Sequence, residues 1–183
     1  SVAYSVLRAV DFGVPQLRPR LFVVASRERL EKPFPSPTHR VPNGPAQEQL
    51  FESEEPHLTP TLWDAISDMP ALEAGQGEEE TGYTLAPCTE YQRQLRTGSD
   101  RLYNHVAMKH SKRMVARFTA MKWGDSVCDV PEEHQPRRRG NSQALSDRAF
   151  DQNNRRMHPD RPCHTIPASF YANFVHPYQH RNF

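Results

Sequence analysis

Apolar residues alternate with small or polar ones through Val2, Tyr4 and Val6, and a continuously apolar run, Leu21-Phe22-Val23-Val24-Ala25, follows after a short break. The first pattern has the two-residue period of a strand, and the second predicts a strand covered on both faces in an α/β sheet. Shortness and β-branched content favour strand over a buried helical turn. Asp11-Phe12-Gly13-Val14-Pro15 predicts the turn between them. From Glu31 to Pro60, prolines recur among charged residues with too few apolar positions to bury, which predicts a connecting loop. Thr61 is then placed as an N-cap with Asp64 three residues on, opening a short helix through Ala65, Ile66 and Met69 that Pro70 ends. The polar stretch Glu73 to Gly82 predicts a mobile loop. Ala107, Ser111, Met114, Val115, Phe118 and Met121 recur at three- and four-residue steps, predicting an amphipathic helix capped by Asn104 and ended by Gly124. Residues 125–160, including Arg137-Arg138-Arg139-Gly140-Asn141, predict an irregular, electrostatic loop, and His164 to Phe183 predicts short strands.

Composition narrows this picture. Seventeen prolines, 36% hydrophobic residues and a mean hydropathy of −0.81 in 183 residues argue against one large core and for two smaller parts. No run approaches the roughly 20 apolar residues that cross a bilayer, so the chain reads as soluble and intracellular. Cys88, Cys128 and Cys163 are widely separated and odd in number, as ordinary reduced thiols would be. Both ends read as cut, since the chain opens on a strand without methionine and stops at Phe183 without a terminating signal.

The net charge of +1 conceals an asymmetry: residues 1–100 sum to −6 and residues 101–183 to +7, with seven of nine histidines in the second part. A basic surface beside an acidic one suits a polyanion on one side only. A solvated charged face explains the count equally well. The same holds for Lys109, Lys112, Arg113, Arg117 and Lys122 off the apolar stripe of the expected helix, where a solvated basic side outweighs direct base readout. His176 and His180 have an i, i+4 spacing, but Pro177 intervenes and no third ligand is evident, so no metal is expected. Phe170, Tyr171 and Tyr178 could stack on bases, with packing the commoner role.

The most informative string is Asp11-Phe12-Gly13-Val14-Pro15-Gln16-Leu17-Arg18-Pro19-Arg20, which runs directly into the apolar strand. Pro19 biases Arg18 towards extended backbone, where alternate side chains share a face, so Gln16, Arg18 and Arg20 would project together. Two guanidiniums and an amide so placed can fork onto phosphate or carbonyl oxygens. On the residues alone, arginines keeping a strand end soluble remain the simpler reading.

That string resembles the Gln-x-Arg-x-Arg block of the DNA cytosine-5 methyltransferases. Three further features agree in order: Thr61 to Pro70; Asn104-His105 with His110 and Arg117-Phe118; and Arg161-Pro162-Cys163-His164-Thr165-Ile166, then His176-Pro177 and Arg181-Asn182-Phe183. In the family a cysteine attacks C6 of a flipped-out cytosine, a glutamate assists at N3, S-adenosylmethionine donates the methyl to C5, and a base removes the C5 proton. Flipping is needed because C5 and C6 cannot be approached correctly inside the stack. The resemblance implies that Arg20 lies against the cytosine with a hydrogen bond at O2, that Arg18 acts beside it and that Gln16 completes the cluster. It gives Thr165 a phosphate next to the target. Leu17 and Pro19 depart from the Asn and Glu common between the paired positions. The glycine-rich cofactor loop, the Pro-Cys nucleophile block and the Glu-Asn block are absent, and Pro87-Cys88 stands in the wrong order to replace the second.

The implied architecture is α/β: residues 1–70 as late strands of a Rossmann-like S-adenosylmethionine-dependent methyltransferase domain, and residues 71–183 as a small irregular target-recognition domain running into the return to the catalytic domain. The implied partners are double-stranded DNA, contacted by Thr165, Lys109, Lys112, Arg113, Arg137, Arg138 and Arg139, and the remainder of the catalytic domain, which would bind the S-adenosylmethionine. The implied setting is the cytoplasm of a bacterium or phage host, at the nucleoid when on DNA, in restriction-modification or as an orphan enzyme. A DNA-binding subunit or regulator without catalysis is the alternative, and a related enzyme acting on tRNA a third.

Overall fold

The computed structural model describes residues 1–42, 56–146, 154–166 and 174–181. In chain order the strands are β1 (Val2–Arg8), β2 (Gln16–Leu17), β3 (Pro19–Ala25), β4 (His39–Arg40), β5 (His57–Leu58), β6 (Gly77–Gly82), β7 (Arg101–Val106), β8 (Arg137–Arg138), β9 (Asn141–Leu145) and β10 (Cys163–His164). The helices are α1 (Leu62–Ile66), α2 (Glu90–Leu95) and α3 (Lys112–Ala120), with 3-10 turns at Ala9–Phe12 and Glu132–His134. This mixture of helix and strand is α/β in content. The chain forms two compact units, Ser1–Ala65 with Asp160–Thr165, and Ile66–Pro159 with Ile166–Phe183. Among the described residues no helix is long and apolar enough to cross a membrane.

In the first unit β1 and β3 form an antiparallel ribbon in register from Val2 opposite Ala25 to Arg8 opposite Pro19. The turn between them is built by its polar residues. Arg8 donates from Nε (2.9 Å) and Nη2 (2.6 Å) to the two oxygens of the buried Asp11 carboxylate. Thr59 Oγ1 donates to the Val10 carbonyl at 2.7 Å, and Thr38 N to that of Asp11 at 2.9 Å, so Val10 and Asp11 are buried with their backbones satisfied. Gly13 has φ +82°, and a Cβ there would lie 2.8 Å from the His39 ring. Gly13→Ala is therefore expected to cost roughly 1–3 kcal/mol in urea denaturation, from left-handed strain plus the clash. A loss under about 0.5 kcal/mol would mean that neither constraint is felt.

The expectation that the apolar run is covered on both faces is overturned for the described residues. Leu21 and Val23 are 64% and 61% exposed, as are their partners Val6 (61%) and Tyr4 (77%). The cause is that β3 pairs with β1 alone, and no described element covers that face.

In the second unit Phe118, Met121, Val130 and Val175 form the buried cluster, with Met114 packed against it. The apolar face of the expected helix is thus real, but its start is not Asn104. Asn104 lies inside β7 at φ +56°, interrupting the register with β6, and α3 begins at Lys112 with Ser111 Oγ accepting from Met114 N at 3.3 Å. Asn tolerates the left-handed region without being a helix cap there. The helix ends at Ala120, before Gly124, which forms a later turn at φ +87°.

Two expected loops contain paired strands. Glu78–Glu80 belong to β6, held opposite β7 and joined by an Arg101–Glu80 ion pair, and β8 and β9 form a hairpin around Gly140 at φ +82°. Local propensity opposed both, and cross-strand pairing outweighed it. The helix at Thr61 forms as a cap predicts, with Thr61 N and Oγ1 each donating to Asp64 Oδ2 at 2.8 Å, but stops at Ile66. Phe170 and Tyr171 lie outside the described residues.

Candidate functional site

Arg18 and Arg20 follow a backbone that folds back on itself. Gln16 N donates to the Val14 carbonyl, Arg18 N to that of Gln16 and Ala9 N to that of Arg18, which locks the arginine string against the 3-10 turn. From there Arg18 and Arg20 reach one cavity of about 490 Å³, whose other lining includes Leu7, Phe12, Phe22 and Phe34. Both arginines are exposed, so their guanidiniums are open to a ligand that enters the cavity, and a planar guanidinium can fork onto phosphate or carbonyl oxygens. Arg20 Nη1 donates to the carbonyl of the preceding Pro19 at 2.8 Å, and among the described residues its other donors have no partner and are open to a ligand.

Gln16 is not in that lining. Its side chain hydrogen-bonds the Cys163 thiol, whose pKa is pushed up by burial and drawn back only in part by this contact. The reason is topological: β2 pairs in parallel with β10, Gln16 opposite Cys163 and Leu17 opposite His164. Cys163 N donates to the Pro15 carbonyl at 2.9 Å, and Thr165 Oγ1 to that of Leu17 at 2.9 Å. Two strings separated by most of the chain are therefore joined residue by residue. Thr165 keeps its oxygen lone pairs for a further donor.

The remaining expected DNA-binding residues belong to the second unit. Lys109, Lys112 and Arg113 are exposed, the last two in the first turn of α3, where the helix dipole opposes a cation. Arg138 and Arg139 are exposed on the hairpin. Arg137 is structural, with Nη2 donating to the Glu132 carbonyl at 3.0 Å and Nη1 3.5 Å from Glu132 Oε1. Arg117 is buried, with Nε on the His134 carbonyl.

Sequence reasoning missed a buried hub. Arg156 is 4% exposed; its Nη1 donates to the carbonyls of His176 (2.7 Å) and Pro177 (3.0 Å), and its Nη2 to that of Phe118. It thereby fixes the turn 176–180. His176 Nδ1 accepts from the backbone N–H of Tyr178 (3.2 Å) and Gln179 (3.0 Å), so the ring folds neutral. Burial first, then Arg181, Arg156 and His105, hold its pKa down to about 3.

A histidine lowered from 6.5 to about 3 contributes stability that is complete above 6.5 and is lost as pH falls towards 3, because the unfolded chain takes up the proton first. Between pH 7.5 and 5 the loss is expected to be about 2 kcal/mol in urea denaturation. His176→Asn, which keeps an acceptor near Nδ1, should flatten that slope, and an unchanged slope would assign it elsewhere.

The profile of the C-5 cytosine-specific DNA methylase family matches residues 1–182, and the chain belongs to that family. It is 43% identical over its whole length to the type II methyltransferase M.DdeI of Desulfomicrobium norvegicum, of which it covers 41%. It is 30% identical over 135 residues, 74% of the chain, to the type II methyltransferase M1.HphI of Haemophilus parahaemolyticus, covering 26% of it. Against the type II methyltransferase M.AquIA of a Picosynechococcus species it is 45% identical over 71 residues, 38% of the chain and 28% of that protein. The chain thus spans less than half the length of each of these relatives.

Proposed function

We propose that this chain is part of a sequence-specific DNA (cytosine-5-)-methyltransferase of a restriction-modification system, supplying the arginine pair at the flipped cytosine and the surface that reads the DNA. The observation that carries this is the β2–β10 pairing, which sets the Gln16-Leu17-Arg18-Pro19-Arg20 string beside the Thr165 string while Arg18 and Arg20 share a cavity. In this reading Arg20 donates to the cytosine O2 and counters charge developing on the ring, a contact most valuable at the transition state. Arg18 binds the adjoining phosphate, and Thr165 fixes the strand's register without reading sequence.

The first unit is the late part of a Rossmann-like catalytic domain, and the exposed apolar face of β1 and β3 is where the remainder of that domain docks. An open face carrying Val2, Tyr4, Val6, Leu21 and Val23 exceeds the scattered single residues of an ordinary surface. S-adenosylmethionine supplies the methyl group when bound. None of the described glycines opens a strand-to-helix glycine-rich loop, so no residue of this chain is assigned to it. The second unit is the recognition domain, and its exposed Lys109, Lys112, Arg113, Arg138 and Arg139 neutralise phosphates. The protein works in the cytoplasm, on the nucleoid.

The test is transfer of labelled methyl from S-adenosylmethionine, catalysed by the complete enzyme containing this chain, to duplex DNA, with bisulfite sequencing to locate C5. Transfer to tRNA instead, or DNA binding without transfer, would replace this reading by one of its rivals. Replacing Lys112 and Arg113 together by glutamine is expected to make the plot of log affinity against log salt shallower by about two units. An unchanged slope would remove α3 from the interface.

A further inference from the structure

In the second unit Trp123 and Tyr178 meet edge to face, with ring centroids 5.6 Å apart, and both are about half exposed (47% and 48%). Large aromatic rings left open to water need a reason. These two are also held in place: Trp123 Nε1 donates to the Pro177 carbonyl at 3.0 Å, and that carbonyl also accepts from the buried Arg156 guanidinium. The His158 ring also packs near the indole, tilted, with centroids 5.3 Å apart. The groove they border, about 410 Å³, is lined by Met121, Lys122, Arg156, Pro177 and His180 besides the two rings, and among the described residues no carboxylate lines it.

A held indole beside the exposed Lys122, with the buried Arg156 behind it and no carboxylate among the described lining residues, has the chemistry of a stacking platform for an anionic polymer with flat rings. We propose that Trp123 and Tyr178 form a preorganised platform on which a nucleobase of the DNA stacks, one whose face is freed where the duplex opens, with Lys122 on its phosphate. This rests on the reading that the second unit binds DNA. The turn 176–180, pinned by Arg156, presents Tyr178 without ordering a loop on binding, so little entropy is lost there.

The chain contains two tryptophans, Trp63 and Trp123, so Trp63→Phe in the full 183-residue chain leaves Trp123 as sole reporter. Titration with a single-stranded 20-mer, and with the same sequence as a duplex carrying an abasic site, should quench its emission in step with binding followed by anisotropy. Trp123→Leu and Tyr178→Leu should each weaken binding about tenfold while leaving the salt slope unchanged, because stacking releases no counterions. Trp123→Phe should recover most of the affinity. Circular dichroism and urea midpoints of the variants separate lost stacking from lost folding, and Tyr178→Leu, which leaves the indole bond intact, covers the case in which Trp123→Leu does not fold.

Binding without change in Trp123 emission and with both leucine variants at wild-type affinity would overturn the platform and leave the DNA-binding reading standing. A change in salt slope would convert the site to a phosphate contact and overturn it likewise. Failure of the complete enzyme containing this chain to bind any oligonucleotide at low salt would overturn both.

Discussion

Replacing Arg20 by alanine in the complete enzyme is expected to lower kcat by about 10²–10³, with the affinity for duplex DNA changed by less than about tenfold. The split follows from position. Arg20 lines an apolar cavity, and among the described residues its one side-chain hydrogen bond is to the carbonyl of the preceding Pro19. Its free donors therefore meet a partner only when one is brought to the cavity. A contact made to an extruded base strengthens as negative charge grows on the ring, whereas phosphate contacts elsewhere hold ground state and transition state alike. Arg20→Lys should restore only part of the rate, since an ammonium lacks the planar fork. Single-turnover methyl transfer with anisotropy on the same duplex reads both quantities. Equal loss of affinity and rate would reduce Arg20 to a phosphate contact.

Arg156→Met is expected to destabilise the second unit by about 3–5 kcal/mol, the range for removing one member of a buried charged network. Nothing apolar can replace what this guanidinium does. The carbonyls of His176, Pro177 and Phe118 converge on it; the His176 carbonyl would lose its donor, while that of Pro177 would keep only Trp123 Nε1 and that of Phe118 only Met121 N. Burial pushes its pKa down and the Asp125 charge raises it only in part, so desolvation opposes the hub even while hydrogen bonds sustain it. Because Trp123 is bonded to the same Pro177 carbonyl, its emission should report the loss during urea denaturation. A change under about 1 kcal/mol would mean that the turn 176–180 holds itself together.

What could be read from the chain depended on whether the cause was local. The Thr61–Asp64 cap, the strands at Val2 and Leu21 and the buried stripe Met114-Phe118-Met121 follow from short-range patterns, and all three are present. Helix α2 was equally local and overlooked: Thr89 and Gln92 form a reciprocal cap, with Cys88 N also donating to Gln92 Oε1 at 2.7 Å. Asn104 misled because the same residue type serves helix caps and left-handed bulges, and only the pairing of β6 with β7 decides between them. The acidic strand β6 and the arginine hairpin needed partners distant in sequence or a glycine turn that polar composition disguised.

The candidate site divides along the same line. Alternation along Arg18-Pro19-Arg20 was enough to bring two guanidiniums to one side, and it extended wrongly to Gln16, which long-range pairing turns onto Cys163. Arg156 had no sequence signature, since its partners are backbone oxygens spread from Phe118 to Gln179.

The chain leaves the first unit at Ala65 and rejoins it at Asp160, and on either side of that excursion Leu62 N is bonded to the Arg161 carbonyl at 2.9 Å. A detour whose two ends are clasped in this way can grow or shrink at little thermodynamic cost, about 0.6 kcal/mol for each doubling of its length. On the proposed reading of the second unit as the part that recognises DNA, it is in effect a replaceable cassette, free to diverge in size and wording while the clasp and the arginine string of the first unit stay as they are.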